Sequence, residues 1–229
     1  MRTFAIIPAR GGSKGVPRKN ILSLMDKPLI AYSIQDALEA QQVDQVYVST
    51  DDIEISEISQ KYGAKIINRP PELANDIVSS ELALIHALSE IEKLGEKPNR
   101  IVFLQCTSPI RSGADIDKAI NKLELDKADS LLSVSPSHRF LWEEKEGITR
   151  SLNYNYQNRP RRQDMAPQYV ENGSIYIFKP WVLKKLGNRL GGKISLFQMS
   201  EAAAHEIDSL LDFEIAEFLL KRQVLSNAN

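Results

Sequence analysis

Cysteine is nearly absent from this chain: Cys106 is the single one in 229 residues. That leaves no internal disulfide framework and no cysteine-rich zinc site, and so sparse a use of thiols agrees with a reducing, cytoplasmic compartment. The three histidines, at 86, 138 and 205, are too dispersed to form a metal set. Neither sign of charge is in excess, 29 Lys plus Arg standing against 30 Asp plus Glu, so no global field draws the protein to nucleic acid or to an anionic membrane. Long apolar runs are missing as well. The short run from Phe4 to Ile7 behind one arginine is no signal peptide, and nothing later approaches a bilayer span. Any anionic ligand must be met by local charge.

Apolar, β-branched runs occur at 4–7, 45–49, 64–67 and 100–104, separated by stretches of helical period. The intervening helices read as Leu29 to Ala40, Ile53 to Tyr62 ending at Gly63, and Glu81 to Leu94 ending at Gly95, with Ser112 placed to cap a fourth through Leu123. Runs buried on both faces and joined by helices predict an α/β fold: a mostly parallel, Rossmann-like sheet in a three-layer α/β/α arrangement. The length suits one domain spanning 1–229. After the run 130–134 the texture changes, and Pro136 to Met165 is rich in Arg, Asn, Pro and aromatic residues. An insertion is expected there, followed by strand-like runs at 174–178 and 194–197 and a last amphipathic helix from Ser209 to about Gln223.

Directly behind the first run stands IPARGGSKGVPRKN, residues 7–20. In an open α/β sheet a loop after the first strand falls at the ligand edge. Gly11, Gly12 and Gly15 are wrongly spaced for the dinucleotide fingerprint, and Ser13-Lys14-Gly15 inverts the end of a P-loop. What remains is a loop exposing backbone N–H groups, with Arg10, Lys14 and Lys19 able to converge on a polyphosphate, or else an exposed basic turn. Beyond the fourth run, Gln105, Thr107, Ser108 and Arg111 also reach the ligand edge, Arg111 either as a substrate contact or as one half of a structural ion pair. Cys106 alternates with Gln105 and is expected in the core. Glu206 and Asp208, two apart, project to one side of an extended segment and suit a hard cation, unless Asp208 or Ser209 merely caps the last helix.

Several blocks in order carry a resemblance: PARGGSKG at 8–15 with Lys19-Asn20, NRPPELAND at 68–76 with Ser79-Ser80, LQCTSPIR at 104–111, RPRRQD at 159–164 and ENGSIY at 171–176. Together they resemble the CMP-sialic acid synthetase (N-acylneuraminate cytidylyltransferase) family, from Arg2 to about Leu220. The resemblance implies transfer of a cytidylyl group from CTP to an acidic 2-keto sugar, whose anomeric hydroxyl attacks the α-phosphate and releases pyrophosphate. It assigns Arg10, Lys14 and Lys19 to the triphosphate, and Pro8, Ala9, Gly12, Ser13, Asn20, Arg69, Ser79 and Ser80 to the rest of the nucleotide. The sugar falls to Gln105, Thr107, Ser108, Arg161, Gln163, Asn172 and Tyr176.

By the same resemblance Asp208 and Glu206 hold magnesium, or manganese in its place. The family usually shows Asp-x-Asp where this chain has Glu206-Ile207-Asp208, which makes Asp208 the firmer ligand and a catalytic residue. The insertion, about 136–180, is expected to join two subunits into a homodimer. Legionaminate, pseudaminate and Kdo are alternative sugars. A nucleotide-binding regulatory subunit without turnover is the reading from another class; joint retention of Lys14, Lys19 and Asp208 speaks against it.

Overall fold

The structure is a computed structural model and describes residues 1–13 and 15–227. In chain order the strands are β1 (Thr3–Pro8), β2 (Ser23–Leu24), β3 (Lys27–Pro28), β4 (Gln45–Thr50), β5 (Lys65–Asn68), β6 (Arg100–Leu104), β7 (Ser130–Ser137), β8 (Trp142–Lys145), β9 (Ile148–Ser151), β10 (Gln168–Phe178) and β11 (Ile194–Gln198). The helices are α1 (Leu29–Glu39), α2 (Ile53–Lys61), α3 (Ser80–Lys93), α4 (Gly113–Leu125), α5 (Pro180–Leu186) and α6 (Leu210–Asn227). Seven strands form one sheet in the order β11-β7-β10-β6-β1-β4-β5. All its pairings are parallel except those of β10, which runs antiparallel between β6 and β7.

Alternate residues of each strand supply two separate cores, as a pleated strand covered on both faces must. Ala5, Ile7, Val46, Val48, Val102, Leu104, Ile175 and Ile177 pack with α1, α2, α4 and α6. Phe4, Ile6, Tyr47, Ile101, Phe103, Tyr176 and Phe178 pack with α3 and α5 on the opposite face. This is the expected three-layer arrangement. Strand β1 lies between β4 and β6, where the chain order reverses, and crevices outside the carboxyl ends of strands open at such a point.

The α4 start carries the expected cap: the Ser112 hydroxyl accepts from Asp115 N, and the Asp115 carboxylate accepts from Ser112 N. Two features differ from the sequence reading. Helix α5 was not anticipated, because it is only 7 residues long. The segment 136–180 is not one insertion: β10 carries residues 174–178 into the middle of the main sheet, and only about 138–167 stands apart. Residues 168–171 look loop-like because they pair with the outer end of β7 alone, before a bulge between Glu171 and Tyr176. The separate part holds the β8–β9 hairpin, turned at Glu146-Gly147, and a cluster in which Trp142 Nε1 donates to Tyr154 Oη at 2.8 Å while Phe140 packs 4.3 Å from the same ring.

Inside the first core, the Asp36 carboxyl of α1 lies 3.3 Å from Arg111 Nε. Burial outweighs the attraction of Arg111 and pushes Asp36 up to about 7. The folded chain therefore holds this proton where the unfolded chain has lost it, and the contribution of the group to stability falls as pH rises from about 4 to about 7. Urea denaturation between about pH 5 and pH 8 is expected to show this slope in the wild type and to lose it in Asp36→Asn. An equally steep curve in the variant would refute the assignment.

Candidate active site

The loop after β1 is held as a frame. Ala9 is buried and its N–H donates to Ser49 O at 2.9 Å, lengthening the β1–β4 pairing by one residue. Gly11 N donates to Asp51 Oδ1 at 3.1 Å, and Arg18 forms ion pairs with Asp52 and Glu54. Asn20, also buried, donates from Nδ2 to Arg10 O at 3.0 Å. Gly12 is exposed on the loop, and Lys14 lies outside the described residues.

This loop meets the segment that leads into α6. A Cβ on Gly15 would lie 2.5 Å from Asp208 O, so only glycine permits the approach. Lys19 Nζ donates to Ile207 O at 2.7 Å and to Asp208 Oδ1 at 3.0 Å. From the other side Ile207 N donates to Thr107 O at 2.8 Å, tying the same segment to the loop after β6.

Between these walls lies a cavity of about 490 Å³, lined by Pro8, Arg10, Ser13, Lys19, Asn20, Arg69, Ser79, Ser80, Thr107 and Asp208 among others. Each of these ten was picked out in the sequence. Ser79 caps α3, its hydroxyl accepting from Leu82 N at 3.4 Å, so the positive end of a helix of 14 residues faces the cavity. The two readings of Ser79, cap and ligand contact, coincide. Arg69 is buried and donates to Ser49 Oγ at 3.2 Å and to Ser49 O. Burial pulls its pKa down, with Asp51 opposing and the nearby Arg10 charge adding to the fall, and an anion in the cavity would relieve the crowding of the two cations. Arg10 is held 2.7 Å from Asp76. Asp76, with Leu73, Asn75, Val78 and Ala83, lines the cavity without having been assigned a role. The signal was present in the NRPPELAND block, whose Asn75 side chain accepts from Ile77 N to close the turn.

Glu206 and Asp208 sit where two carboxylates crowd. The Glu206 carboxyl is pushed up, by burial first and then by the charges of Asp208 and Glu171, with Lys19 opposing. A divalent cation would relieve that repulsion with hard oxygen ligands. Among the described residues no three His, Cys, Asp or Glu are arranged to hold a metal, so a cation here needs further oxygens from a substrate, as magnesium commonly does. The helix-cap alternative is resolved. Ser209 N and Asp208 N both donate to Asp212 Oδ2, at 2.7 and 2.9 Å, and Asp212 N donates to Ser209 Oγ at 3.3 Å. Ser209 is the cap, and the Asp208 carboxylate is left facing Lys19.

Gly173, at φ 63°, forms the floor beside these groups: a Cβ there would strike Gln105 Oε1 and would lie 2.6 Å from Glu206 Oε1. Gln105 and Glu206 therefore converge over a bare backbone. Five residues assigned to the sugar do not join them. Asn172 is fully buried, its Oδ1 accepting from Ser133 Oγ at 2.6 Å and its Nδ2 donating to Ser135 Oγ at 3.1 Å. It fixes the bulge of β10 from inside. Tyr176 is buried against Phe103 at 5.3 Å, with its hydroxyl donated to Glu171. Arg161 and Gln163 are exposed on the separate segment, Arg161 paired with Asp164 at 2.8 Å. Ser108 is buried too, so of that block only Thr107 lines the cavity, while Gln105 lies beside Glu206 over Gly173. Cys106 is in the core as expected, its thiol pushed up to about 11 by burial.

A model of cytidylyltransferases matches residues 4–219. The chain belongs to the cytidylyltransferase family. It is similar to an N-acylneuraminate cytidylyltransferase of Oncorhynchus mykiss, 35% identical over 93% of this chain and 49% of that protein. It is also similar to a pseudaminic acid cytidylyltransferase of Campylobacter jejuni, 31% identical over 96% of this chain and 97% of that one. The chain spans about half the length of the N-acylneuraminate cytidylyltransferases of fish that it matches. A solved structure of CMP:2-keto-3-deoxy-manno-octonic acid synthetase complexed with CTP shares the fold, with a TM-score of 0.73 at 19% identity, covering 97% of this chain and 100% of that one.

For this cytidylyltransferase-family chain the tight contact at Gly15 has a direct consequence. Gly15→Ala must part the β1 loop from Asp208, and nucleotidyl transfer is expected to fall at least about tenfold with the urea midpoint nearly unchanged. Unaltered turnover would show that the contact is incidental.

Proposed function

We propose that this protein converts CTP and an acidic 2-keto sugar of the N-acylneuraminate class into the CMP-sugar and pyrophosphate, the anomeric hydroxyl attacking the α-phosphorus in line. The observation that carries this reading is the single cavity wall shared by Arg10, Lys19, Arg69, the N-terminus of α3 and Asp208. It pairs a polyphosphate cradle with a carboxylate edge. Family membership and the named activities of the relatives support the same chemistry, including the extension of the sugar panel to pseudaminate, legionaminate and Kdo.

Phosphoryl and nucleotidyl transfer demand mainly positioning and neutralisation of charge. Arg10, Lys14 and Lys19 orient the triphosphate and meet the charge that grows on the departing pyrophosphate. On binding, the phosphates take over cations now paired with Asp76 and Asp208, so the donors are in place beforehand. Magnesium, when bound by Asp208 and Glu206 together with the phosphates, supplies Lewis-acid neutralisation at the α-phosphate. Gln105 and Thr107 face the acceptor side, and the Asp208 carboxylate is the nearest group for orienting the attacking hydroxyl. The sparse use of cysteine supports a cytoplasmic reaction that draws on the CTP there.

The working form is proposed to be a homodimer. Segment 138–167 exposes Leu141, Trp142, Ile148, Leu152 and Tyr156, a concentration of large apolar side chains that a second copy could cover. Arg161 and Gln163 stand on it away from this chain's own cavity, placed to serve a second copy.

Pyrophosphate release is expected with CTP, magnesium and at least one acidic sugar of the panel, and not with UTP or ATP. CTP binding without release from any of them would favour the regulatory reading instead. Lys14→Ala is expected to cut turnover at least about tenfold with the fold intact; near-normal turnover would remove it from the phosphate site. In sedimentation velocity a dimer is expected for the wild type and a monomer for Ile148→Asp combined with Leu152→Asp. A wild-type monomer at working concentration would refute the dimer.

A further inference from the structure

Arg111 stands just beyond β6, and its side chain is wholly buried. Nη1 reaches three carbonyl oxygens: Ser108 at 2.7 Å, Ser174 at 3.1 Å and Gln105 at 3.3 Å. Nη2 donates to the Ser33 hydroxyl of α1, which itself lies 3.5 Å from Gln105 O. Nε faces Asp36. Two of the three carbonyls bound the loop that carries Gln105 and Thr107. The third belongs to the residue after Gly173, the floor over which Gln105 and Glu206 meet. One cation thus spans both walls of the acceptor side.

Stability alone is a weak reason to bury this charge. Desolvating a buried ion pair often costs as much as the pair returns, and apolar side chains of equal volume commonly do as well. What an apolar side chain cannot do is bind three carbonyls and a hydroxyl at once, and the single nitrogen of lysine cannot span them either. Behind the loop lies a second cavity of about 440 Å³, lined by Ile110, Arg111, Asp115, Met199, Ser200 and Ala202 among others. The loop has room to fall back into it once the guanidinium is gone. Arg111 does not line the nucleotide cavity.

We propose that Arg111, oriented by Asp36 and Ser33, is a positioning residue for the acceptor sugar: it sets the distance between the Gln105 loop and the Gly173 bulge, and leaves CTP binding alone. The assignment of that side to the sugar rests on the reading given under Proposed function. The brace itself rests only on the hydrogen bonds.

The test combines steady-state kinetics, both substrates varied, with amide hydrogen exchange in the absence of substrate, on the wild type, Arg111→Lys and Ser33→Ala. Arg111→Lys is expected to raise KM for the sugar about tenfold or more while KM for CTP stays within about twofold. Exchange is expected to quicken about tenfold at residues 105–111 and 173–175, and to stay unchanged in β1 and α3. Ser33→Ala, which keeps the charge and removes one partner, shifts both readouts in the same direction by less. An unchanged sugar KM, or equal losses for sugar and CTP, overturns the positioning role. If the wild type releases no pyrophosphate with any acidic sugar, the functional reading fails by itself. The exchange measurement then decides the brace alone: quickening confined to those two segments upholds it, and any other pattern overturns it.

Discussion

Lys19 joins parts of the chain 188 residues apart, and the site depends on that junction. Its ammonium holds Ile207 O and Asp208 Oδ1, and beside it Gly15 lets the β1 loop touch the Asp208 backbone. Without this contact the basic loop and the acidic segment would be two separate surface features. With it, a cluster of cations and the Asp208 carboxylate share one cavity wall. Thr107 O, accepting from Ile207 N, adds the loop after β6 to the same knot. Two crossovers of the sheet and the segment leading into α6 are thereby closed around one point at the carboxyl ends of β1 and β6.

Electrostatics in that cavity work against a net charge of −1 for the whole chain. Arg10, Lys19 and Arg69 are concentrated by the fold and held by Asp76, Asp208 and the Ser49 oxygens. Such fixed donors lose little freedom when an anion replaces their partners, which is the property a transition-state cradle requires. The crowding of Glu206 against Asp208 and Glu171 is the opposite arrangement, a local excess of negative charge that suits a cation. The two kinds of charge are held close together, Lys19 meeting the Asp208 carboxylate directly.

Much of this was legible in the residues. Strand and helix periodicity led to the layers, because both faces of each strand had to be covered. Ten of the residues that line the cavity, Pro8 and Arg69 among them, followed from the motifs, and Asp76 with its neighbours did not. Legibility failed where a side chain's direction depends on a partner far along the chain. Asn172 reads as a polar contact and is instead consumed by Ser133 and Ser135 of β7; Tyr176 reads the same way and is stacked on Phe103 of β6. For Arg111 the residues left two readings open, and burial against Asp36 chose the ion pair. The extent of the separate segment was misjudged for a related reason: residues 168–171 carry the polarity of a loop but pair as a strand with β7.

By itself the sequence determined the layered α/β fold, the basic, glycine-rich character of the loop after β1, and the identity of the acidic pair before α6. These depend on local period, glycine placement and residue type, which are properties of neighbours in the chain. Only the tertiary structure decided that Ser209 caps α6 and so frees Asp208, that Asp76 joins Arg10, and that Gln105 and Glu206 meet over Gly173. Those outcomes hang on contacts between segments distant in sequence, where a shift of a few ångströms changes which groups are satisfied and which remain for a ligand.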